Sequence, residues 1–209
     1  MATRDDAVIT RRGFRLSASV LAVGVALAAR WPELLVDEAA AQGAAVSTEE
    51  LAKPGPLGDQ VLGDANAPVT IIEYASMTCS HCADFHTTTY PTLKSKYIDT
   101  GKVRYILREF PLDPLAAGAF MLARCAGDGK YYPMVEKLFQ EQKNWAFVQN
   151  PIPPLFNLAK QQGFTEQSFE KCLSDQKMLD NIDEVRQRAS QKFGVNSTPT
   201  FFINGKIFR

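Results

Sequence analysis

Tyr74-Ala75-Ser76-Met77-Thr78-Cys79-Ser80-His81-Cys82-Ala83-Asp84-Phe85 sets a Cys-x-x-Cys where a strand turns into a helix. Ahead of it, Pro68-Val69-Thr70-Ile71-Ile72-Glu73-Tyr74 reads as a strand, because β-branched and aromatic residues crowd into a short apolar run bounded by Asn66 and Pro68. Behind it, Cys82, Phe85, Thr89, Leu93 and Tyr97 recur at helical spacing, which puts Cys79 near a helix N-terminus. Unpaired N–H groups and the positive end of the helix dipole favour a thiolate there, and His81 can add a charge or a hydrogen bond. Cys82 follows one turn later, within bonding distance, so the pair can cycle between dithiol and disulfide. A thiolate stabilised in this way leaves readily and lowers the energy of the reduced form, which makes the disulfide form an oxidant.

A Cys-x-x-Cys alone is shared with zinc sites. The strand, Cys79-Ser80-His81-Cys82, the helix and the distant Ser197-Thr198-Pro199-Thr200 together resemble the DsbA-type thiol oxidases of the thioredoxin superfamily, from about Gly63 to the C-terminus. The resemblance implies an α/β, thioredoxin-like fold with an inserted all-helical domain. It also implies a cis Thr198-Pro199 bond set against the cysteines, with Thr198 and Pro199 presenting backbone to substrate. Glu73, six residues before Cys79, reads by alternation as a solvated charge on the face opposite Ile72 and Tyr74; the resemblance gives it a proton-moving role beneath the buried cysteine. His86 is expected on the helix surface, and Pro91 to kink the helix.

The 209 residues carry no net charge, and the first 42 balance by themselves, with Arg4, Arg11, Arg12, Arg15 and Arg30 against Asp5, Asp6, Glu33, Asp37 and Glu38. Nothing in that balance points to a nucleic-acid or anionic-membrane partner. Residues 1–41 read as an export signal: a basic stretch, an apolar run from Leu16 to Ala29, and Ala39-Ala40-Ala41 before Gln42. The run is shorter than the ~20 residues that span a bilayer. Thr10-Arg11-Arg12-Gly13-Phe14 resembles a twin-arginine signal, although Arg15-Leu16 departs from its usual ending; a general secretory route stays open. Either route delivers the domain to the periplasm, where disulfides persist.

Residues 42–62, with Pro54, Gly55, Pro56 and Gly58, read as a linker or an arm packed on the domain. Residues 63–112 and 177–209 form the thioredoxin-like part, with a second strand over Val103 to Phe110. Residues 113–176 show helical spacing throughout. Leu115, Ala119, Leu122 and Ala126 share one face, Met134, Val135, Leu138 and Phe139 another; a short helix runs from Leu155 to Gly163, and Thr165 caps the next. Cys125 and Cys172 fall on apolar faces within this block. The residues leave open a bridge or two buried thiols; the resemblance to alphaproteobacterial relatives implies a structural disulfide. Met178, Ile182, Val185, Ala189 and Phe193 mark a long helix stopped by Gly194, and Asn204-Gly205 signals a hairpin. The family's final helix has no counterpart after Arg209, so apolar sheet is expected to lie exposed, in a product that is incomplete, unstable or dependent on a partner.

With the resemblance, these residues imply a periplasmic oxidoreductase that puts disulfides into unfolded exported proteins bearing free thiols. A quinone-linked partner of the DsbB type would reoxidise it, and no cofactor beyond the Cys79–Cys82 disulfide is called for. Ser80 stands where better-known members have proline, so the strength of the oxidant is left open. Two alternatives remain. A reductase or isomerase would use the same fold, although the V-shaped isomerases carry a longer N-terminal region. A metal-handling protein would use Cys79, His81, Cys82 and His86, which cannot all converge from one helix. Ala83 after Cys82 excludes a c-type haem site.

Overall fold

The computed structural model describes residues 46–209; the export-signal reading at 1–41 lies outside the described residues. A five-stranded sheet runs in the order β1-β3-β2-β4-β5, from β1 (Gln60–Leu62), β2 (Val69–Ala75), β3 (Val103–Glu109), β4 (Thr200–Ile203) and β5 (Lys206–Phe208). Only β2 and β3 pair in parallel, with Ile71 opposite Tyr105 and Glu73 opposite Leu107. The parallel pair needs a crossover, supplied by the helical run 80–98. That run is α2 (Ser80–Asp84), a π turn at Phe85–Thr89, α3 (Tyr90–Leu93) and a second π turn at Lys94–Ile98. The break expected at Pro91 takes this form: the proline falls in the first turn of α3, just after the ladder has been reset.

The π turns also change which face is buried. Cys82, His86, Tyr90 and Ile98 point inward, while Thr89 and Tyr97, expected there, are exposed. Positions four apart drift round an α-helix by ~40° per step at 3.6 residues per turn, and a wider turn returns them to the same side.

Between β3 and β4 every element is helical: α4 (Pro114–Cys125), α5 (Tyr131–Gln140), α6 (Gln142–Trp145), α7 (Ile152–Gln161), α8 (Glu166–Leu173) and α9 (Gln176–Phe193). Thr165 caps α8 in a reciprocal pair with Ser168. The helix read from Leu155 begins three residues earlier, since Pro153 and Pro154 suit a first turn. Cys125 and Cys172 are bridged between α4 and α8, Cα atoms 6.2 Å apart. The insertion shares one continuous apolar core with the sheet face carrying Ile71, Ala75, Tyr105 and Leu107. The boundary drawn at 176/177 falls inside the first turn of α9. This helix packs Met178, Leu179 and Ile182 into that core, and Val185, Ala189 and Phe193 onto the other sheet face.

The arm is more than a linker. Residues 42–62, read as a linker or an arm packed on the domain, contain helix α1 (Thr48–Ala52) and edge strand β1, which pairs antiparallel with β3 through Gln60 and Leu107. Three residues show no legible alternation, and the pairing depends on a strand some forty residues away. Two arginines hold the arm: Arg108 donates to the Leu51 and Lys53 carbonyls, and Arg188 to those of Glu50, Lys53 and Pro54. The sheet face expected to be bare is therefore covered. Ile72, Tyr74, Ile106 and Phe202 are buried beneath Leu51 and α9, leaving a cavity of ≈ 230 Å³ beside Arg104 and Asn204. Asn204 and Gly205 turn the final hairpin with φ of 47° and 85°, which only the glycine adopts without cost. Among the described residues no helix is long and apolar enough to cross a membrane.

Candidate active site

β2 delivers the chain to a turn at Ser76–Thr78, and Cys79 takes the N-cap position of α2 in extended backbone, φ −83° and ψ 119°. The turn is held from the insertion. Gln142, itself buried, donates from Nε2 to the carbonyls of Met77 (2.8 Å) and Cys79 (2.9 Å). Thr78 donates to Asp113, the N-cap of α4, and the Leu112 amide donates to Ser76 Oγ at 3.2 Å. Neither Gln142 nor Asp113 carries a motif that would have singled it out.

Both cysteines of the motif are free thiols, Cys79 at 9% exposure and Cys82 fully buried. The Thr198-Pro199 bond is cis, and the Thr198 carbonyl lies 3.2 Å from Cys79 Sγ. As a thiol, Cys79 donates to that carbonyl; the Thr198 hydroxyl is buried without a partner and is the donor available to a Cys79 thiolate. The Cys82 thiol, first, then Thr198 and the amides of Cys82 and His81 hold Cys79 down to about 5 against the opposing effect of burial. Burial, then the Cys79 sulfur and the charge of Glu73, push Cys82 far above the ordinary thiol range. One sulfur is thus a stable thiolate at neutral pH and the other a firmly protonated thiol. Ser80 and His81 are exposed; His81 contributes its backbone N–H to Cys79.

Behind Cys82 the structure corrects two expectations. Glu73 lies on the face predicted by alternation, but β2 is covered on both sides, as parallel strands are, and its carboxylate is fully buried rather than solvated. His86 is buried too, its Nε2 at 3.0 Å from Glu73 Oε2, which also accepts from the Tyr105 hydroxyl. The His86 ring stacks on Phe139 of α5, centroids 4.3 Å apart. Because His86 turns to Glu73 while His81 faces solvent, the four groups considered for a metal do not converge. Among the described residues no group of three or more His, Cys, Asp or Glu side chains is placed to hold a metal ion.

The thioredoxin family matches residues 57–209. The chain belongs to this family, in its DsbA-type branch. The solved structure of Wolbachia pipientis alpha-DsbA1 superposes with a TM-score of 0.70 at 38% identity, covering 75% of this chain and 79% of that one. A candidate protein-disulfide oxidoreductase of Rickettsia bellii is 34% identical over 148 residues, 70% of this chain. A candidate disulfide bond formation protein D of Bacillus anthracis is 27% identical over 154 residues, 71% of this chain and 70% of its own length. The chain spans 57% of the length of the Rickettsia relative. β2 thus carries Glu73, α2 and its N-cap carry Cys82 and Cys79, the loop before β4 carries Thr198-Pro199, and the insertion supplies groups that hold the turn at Ser76–Thr78.

Proposed function

We propose that the chain is a thiol-disulfide oxidoreductase that introduces disulfides into exported proteins by exchange through Cys79 and Cys82. The observation that carries this is the opposed protonation of the two sulfurs: Cys79 is held down to about 5 beside Thr198, while Cys82 is buried and protonated one turn away.

The steps follow from that asymmetry. A substrate thiolate attacks Cys79 of the Cys79–Cys82 disulfide; a bond forms between substrate and Cys79, and the electron pair of the broken bond goes to Cys82, which takes up a proton. A second substrate thiolate then attacks the first substrate sulfur and expels Cys79, which stays ionised. The substrate has lost two electrons and the enzyme has gained them. The disulfide itself is the redox group, with no added cofactor. In this reading residues 1–41 export the protein to the periplasm by the twin-arginine route, its clients are unfolded exported proteins with free thiols, and a quinone-linked oxidase of the DsbB type regenerates the disulfide. Thr198 and Pro199 offer backbone to the client.

The test is oxidation of a reduced two-cysteine peptide by the oxidised chain, alongside its potential against a glutathione buffer. We expect rapid oxidation and a pair more oxidising than glutathione. Cys79→Ser and Cys82→Ser each abolish turnover of the reduced peptide, since neither can hold the disulfide; Cys82→Ser is trapped as a mixed disulfide only when the peptide is supplied oxidised. A pair more reducing than glutathione assigns the site to a reductase instead.

A further inference from the structure

Cys82 sits where water does not reach, yet the exchange requires it to take up a proton when its bond to Cys79 breaks and to lose one when the bond reforms. The neighbouring polar groups are placed for that traffic, and one atom of each is idle. Glu73 uses Oε2 for both its hydrogen bonds, leaving Oε1 buried without a partner, and His86 uses Nε2, leaving Nδ1 likewise. Buried polar atoms are rarely left unpaired, because each costs ~1–3 kcal/mol. One idle atom is not enough to mark chemistry, since Glu109 Oε2 is idle too in its ion pair with Arg124; what sets Glu73 and His86 apart is that both partners of one bond keep an idle atom and both can carry a proton. From His86 the next polar group is Tyr90, rings 4.9 Å apart, whose buried hydroxyl is also unpartnered and lies near half-exposed Glu136 of α5.

We infer that His86 is the proton-relay partner of Glu73, passing the proton of Cys82 between the buried carboxylate and the α3–α5 surface. Glu73 gives its proton to the Cys82 thiolate and is reprotonated from His86 Nε2, while His86 accepts another at Nδ1 from the Tyr90–Glu136 side; reoxidation runs the same path outward. No proton is created or lost, and the electrons move only between sulfurs. His86 acts through Glu73 and is a positioning and relay residue. The titratable groups around it are Glu73 on β2, Tyr105 on β3, Cys82 one turn before it, Tyr90 one turn after, and Tyr132 and Glu136 on α5.

The inference rests on the exchange reading, so its test has a part that needs no substrate. His86→Gln keeps an N–H donor for Glu73 but cannot carry a proton. We expect single-turnover oxidation of the dithiol peptide at pH 7 to slow by ~10²-fold, the range of general acid–base assistance, with a flattened pH profile. The absorbance titration of the Cys79 thiolate should keep its midpoint, which general loosening of the site would move. A variant that exchanges at the wild-type rate with the wild-type pH profile overturns the relay. The chain has two histidines, so ¹⁵N-histidine NMR of the unaltered protein reports His86 whether or not the variant folds. We expect its ring nitrogens to shift between dithiol and disulfide forms, and unchanged nitrogens overturn the relay. Wild type that exchanges no disulfide overturns the exchange reading, while the NMR result still judges His86.

Discussion

Both faces of the sheet bury charged side chains, Arg108 on one and Glu73 and Glu109 on the other, and they differ in how fully those groups are bonded. On the α1 side, Arg108 spends all five of its donors: two on Asp59, one on the Tyr74 hydroxyl and two on arm carbonyls, at 2.9–3.2 Å. On the insertion side, Glu73 leaves Oε1 without a partner and is bonded to a histidine that is itself half used. A saturated network has no proton to give and no state to change into; it holds the arm. An unsaturated one stores a cost that chemistry can use. Counting idle atoms separates the two faces more sharply than burial; Glu109 Oε2 is idle beside Arg124 as well, so it is the half-used histidine partner that marks Glu73.

The contrast can be broken at either end. Arg108→Met strands Asp59 as a buried charge and frees the arm, so it should lower unfolding stability by ~3–5 kcal/mol in urea melts while the exchange rate of the folded fraction stays as it was. A loss below ~1 kcal/mol would mean the network is decorative. Glu73→Gln should do the reverse, leaving stability within ~1 kcal/mol and slowing single-turnover exchange by ~10²-fold. If Glu73→Gln unfolds the protein as readily as Arg108→Met, the two faces are alike after all.

Reading this division from the sequence succeeded wherever the signal was local. The strand into Cys79, the cap at Thr165, the stop at Gly194 and the Asn204-Gly205 turn each rest on a few adjacent residues, and each stands where expected. His86 is expected at the surface and alternation leaves Glu73 in water, while only the resemblance puts Glu73 beneath the cysteine; burial at both is set from a distance. The π turn at Phe85–Thr89 rotates His86 inward, and the helical insertion closes over the face that alternation left to water. Tyr105 meets Glu73 only through a strand register that no local pattern encodes, and Gln142 reaches the catalytic turn across more than sixty residues.

Finer probes sharpen the comparison on the working face. The lowered Cys79 thiol adds stability to the reduced protein only; that contribution is fully present above its unfolded value of 9.0 and is lost as pH falls through about 5. Paired melts should therefore show the reduced form's advantage over the oxidised form shrinking as pH drops from about 9 to about 5. A gap that ignores pH would show that Cys79 is not ionised in the folded dithiol. The smallest effect is expected from Gln142→Leu, which removes one donor from the Met77 and Cys79 carbonyls. It should cost about 1 kcal/mol and shift the potential of the pair, whereas a change of stability with a fixed potential would make Gln142 a packing residue only.

Helix α9 has a mechanical meaning beyond its packing. Its 18 residues, ~27 Å at ~1.5 Å each, are wedged against the insertion at one end and the sheet at the other. It works as a strut, because neither part can swing away from the other unless this rod bends or is torn from its seat. The sheet and the insertion, which between them hold the turn at Cys79, thus move as one. In the exchange proposed above, a client would bring its own suppleness to the encounter, and a chain that has not yet folded has that suppleness in full.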